Sequence, residues 1–225
     1  MPRPWKILES IETDEGLLEL RRRGDSDYAI LIAGRMLMHG NLHRSEDAVA
    51  EQGCAPIAHR AAPRVLIGGL GLGFTLRAVL DALPATAEVV VAELNPVVVE
   101  WCRAHLASLT DDAINDPRVV VVVGDVMVEV RRAAAGPERE RFDAVVLDLY
   151  LGPDDAVHGP MDPIYGTPAL AILNAALTPG GALAVWGEDP NRRYLARMKQ
   201  AGFRSTLTHT KPPGPRHAVY LGLKA

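Results

Sequence analysis

The residues with the clearest chemical pattern are a glycine cluster and an acid that follows it at a fixed distance. The cluster is Val65-Leu66-Ile67-Gly68-Gly69-Leu70-Gly71-Leu72-Gly73, an apolar run that turns into glycines before a helical pattern. Glu93 ends the next apolar run, about twenty residues further on. A glycine turn lets a ligand approach the backbone, and a carboxylate at this distance can accept hydrogen bonds from a ribose. The spacing predicts a nucleoside site; the simpler interpretation is an α/β turn without a ligand.

Two further acids, Asp125 and Asp148, each follow an apolar run of their own. Ligands of open α/β sheets lie beyond the carboxyl ends of the strands, so the three acids are expected around one glycine turn. Asp148 is the candidate general base, because a carboxylate over an apolar strand end can have a raised pKa and take a proton near neutrality. Tyr150 and His158, on the following segment, are second candidates. For each of them, a loop residue that only packs or caps is an equally good interpretation.

The elements that position these residues alternate regularly from residue 64 onward. Strands are predicted at 64–67, 88–93, 118–123, 142–148, 182–186, 203–210 and 217–223, and helices at 74–83, 96–109, 126–135, 168–177 and 191–201. This alternation predicts an α/β fold with a Rossmann-like, doubly wound, mostly parallel seven-stranded sheet whose last strand is antiparallel. The valines of 118–123 predict a strand that is covered on both faces. Ser45 and Asn95 are predicted helix caps, with Pro96 at the first helical position.

Short β-like runs at 6–12, 17–22, 28–33 and 35–38 predict a small N-terminal β-hairpin or meander. We therefore divide the chain into an N-terminal β segment, 1–44, and a Rossmann-like nucleoside-sulfonium-binding domain, 45–225. His39 and His43 flank the start of the first helix and have no acid or cysteine that is obvious from the sequence. We interpret both as ordinary polar residues.

The composition excludes several classes of function. The 225 residues carry 24 Lys and Arg against 28 Asp and Glu, and this slight acidity argues against a nucleic-acid surface. Cys54 and Cys102 are the two cysteines, so neither a disulfide framework nor a metal site is predicted, and Cys102 falls on an apolar helix face. No secretion signal or membrane-spanning run is found. We expect a cytoplasmic protein without a membrane partner.

The order of parts resembles the spermidine synthase (polyamine aminopropyltransferase) family, within the class I S-adenosylmethionine-dependent methyltransferase fold. The similar motifs are the glycine turn with Thr75-Leu76-Arg77, Val91-Ala92-Glu93-Leu94-Asn95-Pro96, Asp116-Pro117-Arg118-Val119, Gly124-Asp125-Val126, Phe142-Asp143-Ala144-Val145-Val146-Leu147-Asp148 and Leu177-Thr178-Pro179-Gly180-Gly181. The resemblance implies a transferase that uses S-adenosylmethionine or decarboxylated S-adenosylmethionine as co-substrate. It also implies a homodimer.

The resemblance implies a role for each matching residue. Glu93 would bind the ribose hydroxyls, and Asp125 would accept from the adenine amino group beside the Val126 backbone. Gly69 and Gly71 would face the sulfonium end of the donor, and Gly73 completes the turn. Asp148 would receive the proton of the attacking amine.

Two acids of the family pattern are missing. Leu72 stands in the glycine turn and Leu151 stands three residues after Asp148, where the family has aspartates that face ammonium groups. A close charge pair contributes about 1–4 kcal/mol, so we expect methyl transfer to a small amine or hydroxyl acceptor ahead of aminopropyl transfer to a polyamine. Asp154 and Asp155 are candidates for compensating acids.

Two other classes of function stay open. The first is a relative that retains nucleoside binding without catalysis, which Leu72 and Leu151 also fit. The second is an NAD-dependent dehydrogenase, whose Gly-x-Gly-x-x-Gly spacing is not reproduced because the third glycine falls one residue early.

Overall fold

A four-stranded antiparallel sheet forms the N-terminal part of the molecule. The computed structural model describes residues 3–154, 156–210 and 216–225. The strands are β1 (Lys6–Thr13), β2 (Gly16–Arg23), β3 (Asp27–Ile32) and β4 (Arg35–His39). They pair in the order β1-β2-β3-β4, which confirms the predicted meander. Glycines at positive φ supply the turns, for example Gly34 with φ 76° between β3 and β4.

A seven-stranded sheet organises the rest of the chain. Its strands are β5 (Arg64–Gly68), β6 (Glu88–Glu93), β7 (Val119–Val123), β8 (Phe142–Leu147), β9 (Leu177–Gly187), β10 (Phe203–His209) and β11 (Ala218–Lys224). The order is β10-β11-β9-β8-β5-β6-β7. Neighbours from β9 to β7 are parallel, and β11 is antiparallel to β9 and to β10. The predicted mostly parallel sheet with an antiparallel last strand is confirmed.

Helices cover both faces of this sheet. They are α1 (Arg44–Cys54), α2 (Phe74–Ala82), α3 (Pro96–Ala104), α4 (Val126–Ala135), α5 (Thr167–Ala176) and α6 (Arg192–Gln200). Side chains of α1, α2, α3 and the N-terminal sheet form one apolar layer, and those of α4, α5 and α6 form the other. Strand residues alternate between the layers: Val65 and Ile67 enter the first, and Leu66 enters the second.

Several predicted boundaries differ from the structure. The first helix begins at Arg44, with His43 at the N-cap position and no side-chain cap, and Ser45 donates its hydroxyl to Glu46 instead. Asn95 does precede α3, but its side chain makes no cap hydrogen bond. The helix ends at Ala104, before a separate 3-10 turn. The sequence pattern therefore locates a helix or strand more reliably than it locates the residue at which its hydrogen bonding ends.

The interpretation of residues 118–123 as a strand covered on both faces was wrong. The strand β7 is an edge of the sheet, and Val120 and Val123 are 50% and 53% exposed. Its valines reflect the high β-propensity of branched side chains rather than double burial. The predicted linker between the last two strands, 212–215, lies outside the described residues.

The N-terminal sheet shares a core with the large sheet. Leu20 and Tyr28 pack in the same apolar cluster as Val49 of α1 and Trp101 of α3. On β1, the Glu9 carboxylate accepts from Trp101 Nε1 at 2.8 Å and contacts His105 Nε2 at 2.6 Å. The division of the chain at residue 44 stays a prediction. Among the described residues, no helix combines the length and the apolar character that crossing a bilayer requires.

Candidate functional site

The three predicted acids lie along one rim of the large sheet. Glu93 is the last residue of β6, Asp125 follows β7 by two residues, and Asp148 follows β8 by one. The strand β5, which leads into the glycine turn, pairs in parallel with β6 and with β8. Because parallel strands end at the same edge, the rim carries both the glycine turn and the acids.

Glu93 is directed at the glycine turn. Its Oε2 accepts from the Leu70 backbone N–H at 2.8 Å, and its Oε1 accepts from the Asn95 N–H at 2.9 Å. Burial raises the pKa of Glu93, while these backbone N–H groups act in the opposite direction. Each carboxylate oxygen can accept more than one hydrogen bond, so Glu93 retains acceptor capacity for a hydroxyl.

The glycines of the turn are required by the packing of the protein itself. The φ angles are 89°, 52° and 87° at Gly69, Gly71 and Gly73. A methyl group at Gly69 would overlap the carbonyl oxygen of Asp148, and one at Gly71 would overlap the sulfur of Met38. Any group that approaches this side of Gly71 therefore has to displace the Met38 side chain, which is flexible.

The rim near Asp125 is more open. Asp125 is exposed, and its Oδ1 accepts from the Met127 N–H at 2.8 Å and so caps α4. Gly124 has φ 152°, and a Cβ added there would meet no atom within 4 Å. Val126 is buried, with its side chain against Gly68. Free space therefore lies beside Gly124 and the exposed side chain of Asp125.

Asp148 is held by the first turn of α2. Thr75 Oγ1 donates to Asp148 Oδ2 at 2.5 Å, and the Asp148 N–H donates to the Gly68 carbonyl at 2.9 Å. Burial raises the pKa of Asp148 to about 7, and the negative charge of Glu46 contributes. The hydroxyl of Thr75 and the imidazole of His217 act in the opposite direction. The carboxyl group can therefore exchange a proton near neutral pH.

A cavity of about 440 Å³ lies on the Glu46 side of Asp148. It is enclosed by β4, the start of α1, the segment after β8 and the end of β9, through side chains that include Met36, Met38, Glu46, Tyr150, Leu151 and Trp186. The indole nitrogen of Trp186 is buried and has no hydrogen-bond partner within the described ranges. Asp148, Glu93, Asp125 and the glycines of the turn are not in the walls.

A second cavity, of about 620 Å³, adjoins the first. Leu151 and Glu188 belong to the walls of both. The acidic side chains of Asp154 and Asp189 and the cationic side chain of Arg192 line the second cavity. The acid that the sequence suggested as a compensation, Asp154, therefore lies beyond Leu151 rather than beside Asp148.

Of the remaining predicted residues that the structure describes, one lines a cavity and the other does not. Tyr150 is 42% exposed and lines the first cavity. His158 lines neither cavity; its Nδ1 contacts Asp162 Oδ2 at 2.8 Å. Asp155 lies outside the described residues. Across the parts of the chain that the structure describes, no group of three His, Cys, Asp or Glu could hold a metal ion.

The histidines at 39 and 43 do have acidic neighbours, contrary to the sequence interpretation. His39 Nε2 lies 3.5 Å from Asp27 Oδ1, and His43 Nδ1 lies 2.9 Å from Asp47 Oδ2. Cys102 is buried as predicted, and burial raises the pKa of its thiol to about 12. A thiol in this state is no nucleophile near neutral pH.

Three residues of the site were missed by sequence reasoning: Met38, Glu46 and Trp186. Glu46 lies in the first turn of α1, where the helix dipole already favours an acid, so its type alone does not indicate a site. Its second role depends on the packing of α1 against the end of β8, which no local pattern reports. The sequence signal that could have found Glu46 is its spacing, which puts an acid on the same helix face as Val49, Ala50 and Cys54. In the structure Glu46 is indeed only 8% exposed.

Comparison with known proteins first defines the class of fold. The chain superimposes over its full length on a spermidine synthase in complex with the transition state analogue AdoDATO, with a TM-score of 0.74, 17% identity and 81% of that chain covered. The spermidine synthase of Thermotoga maritima gives a TM-score of 0.75, 18% identity and the same coverage. The protein therefore has a spermidine synthase fold.

Sequence similarity then indicates which families of transferases the chain resembles. A polyamine aminopropyltransferase of Mycobacterium tuberculosis is 32% identical over 188 residues, which are 80% of this chain and 35% of that protein. Polyamine aminopropyltransferase 2 of Pseudomonas aeruginosa is 34% identical over 155 residues, 66% of this chain and 42% of that protein. Putrescine N-methyltransferase 1 of Nicotiana tabacum is 34% identical over 126 residues, 56% of this chain and 31% of that protein. No family model matches the chain.

These findings support the spermidine synthase-like family, and the chain is spermidine synthase-like in both sequence and fold. The chain spans between 31% and 42% of the length of the three relatives named above.

Proposed function

We propose that the chain is the transferase domain of an enzyme that moves an alkyl group from an adenosyl sulfonium to a small amine. The observation that carries this proposal is the carboxyl group of Asp148. It lies against the glycine turn and has a pKa of about 7, and two residues whose charges act on it, Glu46 and His217, line a cavity large enough for a small acceptor.

The nucleoside end of the donor has a matching set of groups. Glu93 faces the glycine turn and retains acceptor capacity for the ribose hydroxyls. Asp125 is exposed and the space beside Gly124 is open, which leaves room for an adenine next to Asp125 and Val126. These assignments follow the spermidine synthase-like motifs, and the same orientation leaves the sulfonium end of the donor toward Asp148.

The chemical step needs little more than alignment and a base. Asp148 accepts a proton from the ammonium group of the acceptor, which leaves a nitrogen lone pair. That lone pair forms a bond to the carbon on sulfur, the C–S bond breaks, and its electron pair stays on sulfur as a neutral thioether. The protein supplies proximity and orientation, since the sulfonium carries its own leaving group. Asp148 then returns its proton to solvent.

Aminopropyl transfer to a polyamine becomes the first candidate, which reverses the order expected from the sequence, because the relatives with the greatest coverage of this chain are named polyamine aminopropyltransferases. Methyl transfer is the second candidate, and Leu72 favours it. This side chain is fully buried in the apolar core and offers no charge to a donor ammonium group. Putrescine N-methyltransferase relatives also support methyl transfer.

Product analysis separates the two candidates. The purified protein is incubated with putrescine and either decarboxylated S-adenosylmethionine or S-adenosylmethionine, and the products are identified by mass spectrometry. We expect spermidine from the first donor, and N-methylputrescine from the second would establish methyl transfer instead. Asp148→Asn should lower the rate at least about 100-fold and keep binding of methylthioadenosine, because it removes only the base.

Glu93→Gln serves as the complementary variant. We expect it to weaken methylthioadenosine binding at least tenfold, since the amide that replaces the carboxylate is a weaker acceptor for ribose hydroxyls. Calorimetry on the wild-type chain with S-adenosylmethionine, decarboxylated S-adenosylmethionine, methylthioadenosine and NAD completes the comparison. Binding of NAD without binding of either sulfonium would refute the transferase proposal, and nucleoside binding without any product would identify a non-catalytic relative.

A further inference from the structure

Glu46 is a buried carboxylate in the wall of the acceptor cavity. It lies in the first turn of α1, is 8% exposed, and accepts from the Ser45 hydroxyl at 2.5 Å. Burial raises the pKa of Glu46, and its charge in turn acts on Asp148. The two carboxyl groups therefore form one electrostatic unit, contributed by α1 and by the end of β8.

Among the described residues this pair has no salt-bridge partner, although Arg44 and His217 belong to the wall of the same cavity. Within residues 3–154, 156–210 and 216–225, neither Glu46 nor Asp148 forms an ion pair, and hydroxyls of Ser45 and Thr75 are their side-chain hydrogen-bond partners. Buried carboxylates without a countercharge are costly. A ligand that brings positive charge removes this cost, so the arrangement favours a cationic occupant.

Other charged groups surround the pair. Asp47 is on the same turn of α1, where it contacts His43. His39 on β4, Arg44 on α1, Glu188 after β9 and His217 before β11 belong to the cavity walls. Of these, His217 lies near enough to act on Asp148.

We propose that Glu46 holds the ammonium group of the amine acceptor next to Asp148, and so supplies from α1 the countercharge that Leu72 and Leu151 cannot supply. This inference rests on the proposed transfer to an amine. It names a residue that determines acceptor specificity, and it makes the site a two-carboxylate site for two positive charges.

The charge balance explains why two carboxylates are needed. A sulfonium and an ammonium together bring two positive charges, and Asp148 and Glu46 together bring two negative ones. After Asp148 takes a proton, the remaining positive charge moves from sulfur to nitrogen during the transfer. The positive charge of the bound ammonium favours the ionised form of Glu46, which then stabilises the charge that develops on the nitrogen.

A structural role predicts different behaviour. If Glu46 only stabilised the start of α1, its replacement would lower stability and leave the acceptor dependence and the pH dependence unchanged. A countercharge role predicts a change in the Michaelis constant for the acceptor. It also predicts a change in the pH at which Asp148 titrates, because a neighbouring negative charge favours the protonated carboxyl.

The test compares Glu46→Gln with the wild type by steady-state kinetics as a function of putrescine concentration and pH. We expect the KM for putrescine to rise at least tenfold, with a smaller loss in kcat. The pH–rate midpoint, near 7 in the wild type, should fall by about half a unit or more. Glu46→Asp should restore part of the acceptor affinity.

Glu51→Gln is the matched control, because it removes an exposed carboxylate from the same helix without altering the cavity wall, whereas the charge of Asp47 itself raises the pKa of Glu46. It should keep the wild-type KM and midpoint. An unchanged KM and midpoint in Glu46→Gln would refute the role of Glu46 while leaving the transferase proposal intact. If the wild type gives no product, binding of putrescine to both proteins by calorimetry still tests Glu46, and equal affinities would refute it.

Discussion

At the scale of single residues, the site places two acids where burial works against their charged forms. Asp148 illustrates the conflict between catalysis and stability. A base with a pKa of about 7 is suited to proton transfer at neutral pH. The same shift means that the folded protein binds a proton which the unfolded chain, with an aspartate pKa near 4, has released.

This conflict gives a testable pH dependence. Since the folded pKa of Asp148 is raised, its contribution to stability is fully present below about pH 4 and is lost as the pH rises to about 7. The variant Asp148→Asn has no carboxyl group at this position, so it does not lose stability by this route as the pH rises. We therefore expect the free energy of unfolding of the variant, relative to the wild type, to increase by about 2–3 kcal/mol between pH 5 and pH 8. Denaturant unfolding at both pH values measures this, and parallel curves would contradict it.

The residues that sequence reasoning identified share one property. Glu93, Asp125 and Asp148 each follow a recognisable strand, so their position along the rim follows from the order of elements. Met38 and Glu46 belong to β4 and α1, and they reach the same place only because the N-terminal sheet and α1 both pack at the rim. Contacts of that kind depend on tertiary packing, which a periodic pattern does not encode.

At the scale of elements, the glycine turn connects Glu93, on the proposed donor side of the site, with Asp148, the proposed base. Gly69 touches the backbone of Asp148, so the turn after β5 and the segment after β8 fix each other's position. A side chain at residue 69 would separate them. The turn is therefore a structural joint as well as a candidate ligand contact.

Gly69→Ala tests this joint against Gly34→Ala. Both glycines have positive φ, 89° and 76°, so the backbone strain of the substitution is similar. Only at Gly69 would the new methyl group overlap protein atoms. A methyl group added at Gly34 would have no neighbouring atom within 4 Å. We expect Gly34→Ala to cost about 1 kcal/mol of stability and Gly69→Ala to cost clearly more and to weaken methylthioadenosine binding. Equal losses in unfolding experiments would show that the contact is unimportant.

Element types were predictable and element surroundings were not. The strands and helices from residue 64 onward have distinct periodicities, and each was found near its predicted place. The position of β7 at the sheet edge depends on the strand order, and so the exposure of Val120 and Val123 was not foreseen. Likewise, β9 starts at Leu177, because Pro179-Gly180-Gly181 is accommodated within a strand next to an irregular register of β8.

At the scale of the whole molecule, the N-terminal sheet is attached through both apolar and polar contacts. The polar contact joins Glu9 of β1 to Trp101 and His105 of α3. The Trp101 side chain is fully buried, so its indole N–H depends on Glu9 for a hydrogen bond. Hydrogen bonding to His105 and Trp101 lowers the pKa of Glu9.

Glu9→Ala should destabilise the protein by about 1–3 kcal/mol, the usual cost of leaving a buried donor unsatisfied. Glu12→Ala is the control, because Glu12 is an exposed acid on the same strand and should change stability by less than about 0.5 kcal/mol. Hydrogen exchange should show faster exchange of β1 and β2 amides in Glu9→Ala alone. Equal stabilities of the two variants would mean that apolar packing suffices to hold the sheet.

The enclosure of the acceptor cavity by β4 has a consequence for the ancestry of such proteins. Met36, Met38 and His39 come from a short hairpin, whereas Glu93 and Asp125 come from the parallel core. Under the proposed function, one wall of the acceptor cavity is thus encoded apart from the residues assigned to the nucleoside. Changes confined to the hairpin of β3 and β4 can then reshape that wall, and so alter which amines fit, while the strands that carry Glu93 and Asp125 stay as they are.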